Sequence, residues 1–191
     1  VGWRRRAEYS ESVNSARSWL VWAIAMVAYI VAVLQRTSLG VAGVDAAHRF
    51  DVSASALSSL TVIQLIVYAA LQIPVGVVLV RVGPKALIAT GAILMMVGQT
   101  TLAIEPSLGI AIGGRILLGA GDAMTFISVI RLLASWFSGR LLPQVSQWTG
   151  NVGALGQVLS AVPFSFILHG LGWTPAFLTA AALSALAFVL V

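Results

Sequence analysis

Three ionisable residues, Arg36, Arg115 and Asp122, sit inside stretches otherwise built of apolar side chains. A charge near the middle of a membrane helix costs about 2.5–3.5 kcal/mol on insertion scales. Such residues usually face a bundle interior or a wet cavity, and they often mark a substrate or ion path. A guanidinium offers a planar fork that fits a carboxylate or phosphate. An aspartate in a partly dry cavity can gain and lose a proton as its surroundings change. Arg115 and Asp122 are about two helical turns apart, roughly 10.5 Å of rise, so both point to one face. Arg36 belongs to a different helix. The competing reading for each arginine is a side chain that snorkels to the headgroups from a helix end. Asp122 is too short to do so.

Uncharged polar residues extend the set. Gln64, Tyr68 and Gln72 share one face at four-residue spacing, and Asn151 and Gln157 lie further on. They could line the same cavity, or bond between helices at about 0.6 kcal/mol each. Gly119 and Gly121 lie between Arg115 and Asp122. They leave room for a long side chain or a ligand, or let a neighbouring helix pack closely. Gly150, Gly153 and Gly156 read as a close-packing face.

The elements that position these residues follow from composition. The chain has 191 residues, 59% apolar and 9% charged, with a mean hydropathy of +0.99. A soluble domain carries about 25% charged residues, so the composition predicts an all-α integral membrane protein. One span needs about 20 apolar residues, which allows about six helices and excludes a separate soluble catalytic domain. Without cysteine there is no thiolate chemistry and no disulfide. No metal cluster, cofactor motif or nucleic-acid surface is legible, and no Gly-x-Ser-Gly of the intramembrane serine proteases occurs, so an enzyme is not expected.

Residues 1–17 read as a polar tail and 18–191 as a six-helix domain. The spans fall at about 18–42, 54–80, 86–104, 108–137, 144–168 and 175–191. The first span could continue toward Phe50. Ser53 looks like a helix cap, Gly83 and Pro84 like turn formers, and Glu105-Pro106-Ser107 like the next turn. Ser138 to Pro143 and His169 to Trp173 read as the remaining connections. The last span is still apolar at Val191, so a truncation within it is expected. Arg4, Arg5, Arg6, Arg17, Arg81, Lys85, Arg131 and Arg140 fall on one side, whereas Arg49 stands among Asp45, Asp51 and Glu105 on the other. The positive-inside rule then predicts a cytoplasmic amino terminus.

Two motifs carry a resemblance. Gly76, Arg81, Gly83 and Lys85 resemble the signature between helices 2 and 3 of the major facilitator superfamily, with Val80 in place of the family's Asp. Arg115, Gly119 and Gly121 look like its helix 4 motif. The resemblance implies the amino-terminal half of a twelve-helix carrier, built from two three-helix repeats, whose missing carboxy-terminal half completes the pathway. It also implies that the Gly76–Lys85 loop acts as a cytoplasmic latch. A finer pattern, Arg36-Thr-Ser-Leu-Gly-Val-Ala42 with Tyr68 to Gly76, is similar to the anion:cation symporter branch. That likeness implies a small organic anion held by Arg36, with Arg115, Tyr68, Gln64 and Asn151 lining its site. Asp122 would carry the coupled proton, and Gln35 stands where some members have a second acid. The expected setting is the cytoplasmic membrane. Two rivals are export of a drug or metabolite and a six-helix scaffold or remnant that does not transport.

Overall fold

The computed structural model describes residues 14–191. The tail arginines Arg4, Arg5 and Arg6 lie outside the described residues. Within them the chain is helical: α1 Ala16–Val41, α2 Gly43–Phe50, α3 Ala54–Ile104, α4 Leu108–Trp136, α5 Leu141–Leu171 and α6 Trp173–Leu190. Five of these are long and apolar enough to cross a membrane.

Each boundary has a local cause. Ser15 caps α1 by accepting from the Ser18 N–H, and the Ser18 side chain answers in a capping box. The short α2 continues toward Phe50 and stops at Asp51, whose left-handed φ of 50° breaks the helix. Ser53 then caps α3 by accepting from the Ala56 N–H.

At 51 residues, α3 is too long for one crossing. Unbent it would reach roughly 77 Å, against a hydrocarbon core of about 30 Å. Gly83, with φ 80° and ψ 162°, breaks it into arms 54–82 and 84–104. An L side chain rarely adopts that φ, so glycine is the residue that makes the reversal. Pro84 opens the second arm, where a missing N–H costs nothing. Both arms lie against α4, since Gln64 of the first meets Gly119 and Gly91 of the second meets Gly121.

Two connections are shorter than the sequence implies. The fifth span starts at Leu141 rather than near 144, because Pro143 fits within a first helical turn. It runs on to Leu171 rather than 168, so His169 lies in its last turn, bonded to Ser165. Pro163 sits in a π-helical turn, Ser160–Phe164, which absorbs the bond that proline cannot donate. Gly172, with φ 93°, makes the final turn, and α6 begins at Trp173, two residues before Pro175.

Packing follows the small residues. Gly91 and Gly98 of α3 meet the backbone of Gly121 and Gly114 of α4, seven residues apart on each helix. A Cβ added at Gly98 would lie 2.6 Å from the Gly114 carbonyl oxygen. The outer surface is apolar, with Ile73, Val80 and Phe166 exposed, as suits lipid rather than water. The largest core cluster joins α1, α3, α4 and α6 through Leu39, Leu60, Met95, Leu118 and Phe177.

One end of the bundle is closed by a side-chain clasp. The last carbonyls of α3 lack helical partners. Arg49 donates to Ala103 and Ile104, both at 3.1 Å. The Trp173 indole N–H donates to Leu102 at 2.8 Å, and the Thr174 hydroxyl to Ala103 at 3.0 Å. Arg49 also stacks over Trp173, 5.3 Å from the ring centroid.

Candidate functional site

Arg36 on α1 and Asp122 on α4 meet in the middle of the bundle. The Arg36 Nε donates to Asp122 Oδ2 at 2.6 Å, and Nη2 donates to Oδ1 at 2.8 Å. This fork-to-fork geometry is the strongest form of the guanidinium–carboxylate contact. The Asp122 side chain is 2% exposed and that of Arg36 is 27% exposed, so the pair opens on the arginine side. Neither arginine snorkels. Arg36 turns inward to Asp122, and Arg115 is fully buried.

Arg115 shares its helix face with Asp122. Its Nη2 donates to the Arg36 backbone carbonyl at 3.4 Å, while Nε and Nη1 have no partner among the described residues. Asp122 is already engaged on both oxygens. The cluster therefore holds two guanidinium groups and one carboxylate, an excess of one positive charge at a site with little water. An isolated buried charge is costly unless it is paired, so an additional anion would be favoured there.

Aromatic rings border the pair. The Arg36 guanidinium lies 4.8 Å from the Tyr68 ring centroid. Phe126 stands between Tyr68, at 6.2 Å, and Tyr29, at 5.8 Å. Tyr29 and Phe126 were absent from the sequence-based set. Their signal was available, because Tyr29 is two turns before Arg36 and Phe126 one turn after Asp122, each on the face of its charged neighbour.

The remaining sequence candidates separate. Gln64 is fully buried beside Gly119, and neither its amide nitrogen nor its oxygen has a partner among the described residues. Asn151 lies exposed on α5, on no surface shared with the ion pair through any described contact. Gly119 and Gly121 are spent on helix packing, against the backbone of Gln64 and Gly91. Gly156 receives the α1 backbone at Ile30, and Gly153 receives the ring of Tyr29. Gly150 has open space around it, so it does not belong to that face. Gly76 is also open, Arg81 and Lys85 are exposed, and Gly83 makes the reversal described above.

Gln35, next to Arg36, points the other way. Its amide nitrogen donates to the Ala180 carbonyl at 2.8 Å and to the Ser184 hydroxyl at 2.6 Å. Ser38 donates to the Gln35 carbonyl, and Gln99 donates to Ser38. This buried ladder ties α1 to α6 and to the second arm of α3, on the side away from the ion pair.

A family model described as the Major Facilitator Superfamily matches residues 25–191, a range that holds every residue of this cluster. No curated protein matches the chain.

Proposed function

The chain belongs to the Major Facilitator Superfamily, a family of membrane transporters, and on that premise we propose that it moves a small organic anion together with a proton by alternating access. The observation that carries this reading is the bidentate Arg36–Asp122 pair with Arg115 buried beside it. Asp122 occupies Arg36 as a substrate carboxylate would. A proton on Asp122 removes its charge and releases the Arg36 fork. An incoming anion then takes the vacated bonds, so proton and anion enter together. Loss of the anion returns Arg36 to Asp122 and expels the proton. Linkage makes the effect mutual, since each ligand raises the affinity for the other.

The same reading assigns the wider architecture. Arg36 lies on the first span, and Arg115 and Asp122 on the fourth. These would be equivalent helices if two three-helix repeats build the bundle, and repeat interfaces are where such carriers place their sites. A further six-helix half would complete the pathway. The likeness of Arg36 to Ala42 and of Tyr68 to Gly76 supports the anion:cation symporter branch. The cation-rich end, with Arg17, Arg81, Lys85, Arg131 and Arg140, is assigned to the cytoplasm. Arg81 and Lys85 would form the loop latch there, without the acid that Val80 replaces.

The test is Asp122→Asn in proteoliposomes. The variant should lose accumulation driven by a proton gradient yet keep substrate exchange. If both survive, Asp122 does not couple the proton.

A further inference from the structure

From the rings beside the ion pair we infer that the carried anion bears a flat, apolar body, an aromatic or conjugated carboxylate rather than a polyhydroxylated one. The inference rests on the anion reading above. Tyr29, Tyr68 and Phe126 form a ledge of tilted rings from three helices, with centroid spacings of 5.8 and 6.2 Å and interplanar angles of 40° and 52°. All three side chains are only partly buried. Arg36 is stacked on one of them, which sets its charged fork at the edge of the ledge. A carboxylate taking that fork would lay the rest of its molecule over the rings.

The neighbouring polar groups argue the same way. A polyol acid needs a donor or acceptor for each hydroxyl, and unmet hydroxyls are expensive to desolvate. The ledge itself offers two phenol hydroxyls, of Tyr29 and Tyr68, fewer than a polyol acid carries, and the unpartnered atoms of Gln64 and Arg115 are sealed inside the bundle. Tyr29 is also held in place, since Gly153 of α5 leaves only enough room for its ring. Aromatic pairs contribute beyond simple area burial, so the ledge discriminates by shape as well as polarity.

Isothermal titration of the detergent-solubilised full-length carrier with benzoate and with gluconate tests this. Benzoate should bind roughly three- to tenfold tighter, the range that one aromatic pair supplies. Phe126→Leu should bring the ratio close to one, while Phe126→Tyr should keep it. Arg36→Met should weaken both acids. Equal or tighter binding of gluconate overturns the ledge and leaves the anion reading standing. Binding of neither acid removes both.

Discussion

Arg36 and Arg49 make nearly the same contact with opposite consequences. Each lays its guanidinium over an aromatic ring, Tyr68 at 4.8 Å and Trp173 at 5.3 Å. Each donates to two oxygens, Arg36 from Nε and Nη2 and Arg49 from Nη2 alone. For Arg36 those oxygens belong to one carboxylate, which can be neutralised by a proton. For Arg49 they are the backbone carbonyls of Ala103 and Ile104, which do not titrate. On the proposed reading the first contact is exchanged during transport and the second is kept. The proposal thus makes the same side chain a moving part in the middle of the bundle and a rivet at its end, with the acceptor deciding which.

The largest effect should come from breaking the exchangeable contact on one side only. Asp122→Ala leaves Arg36 without its counter-charge and should destabilise the protein by about 3–5 kcal/mol, the usual cost of orphaning a buried charge. The double variant Arg36→Met with Asp122→Leu should regain most of that loss, because a packed apolar pair replaces both charges. Thermal unfolding of both variants in detergent decides the matter. A double variant no more stable than Asp122→Ala would mean that the pair is not what holds α1 to α4.

Arg49→Met comes next, at about 1.5–3 kcal/mol for charged hydrogen bonds lost from the α3 end. Its substrate affinity should stay at the wild-type value. A tenfold change in affinity would place Arg49 on the transport path and end the contrast with Arg36. The smallest effect belongs to Thr174→Val, which removes one neutral bond to Ala103 and should cost about 1 kcal/mol. A loss as large as that of Arg49→Met would show the clasp to be one cooperative unit.

Much of the bundle was legible in the residues. Apolar runs of membrane length marked the spans, and Ser53, Gly83 and the Glu105–Ser107 turn marked where they break. Residues 115 and 122 were placed on one face by spacing alone. What spacing could not show is contact between distant segments. Arg36 and Asp122 each stood out, but the bond between them joins different helices and leaves no periodic trace. Gly91, Gly98 and Gly114 went unnoticed for the same reason, since a glycine reveals its role only through the backbone it meets. Gly150 was misplaced by extending a three-residue rhythm one step too far. Arg49 looked like topology because its partners are carbonyls, which every residue has. Pro143 was read as loop, though a helix admits proline in its first turn, where Pro175 was expected and lies.

The paired glycines of α3 and α4 have a mechanical consequence. Gly91 faces Gly121 and Gly98 faces Gly114, so bare backbone meets bare backbone at matching intervals along antiparallel helices. Sliding one helix past the other would drive side chains into these notches before reaching the next match, about 10.5 Å away. The interface works like a keyed shaft, free of axial play. The second arm of α3 is therefore keyed to α4, and in the proposed alternating-access cycle Asp122 would ride on a rigid two-helix lever.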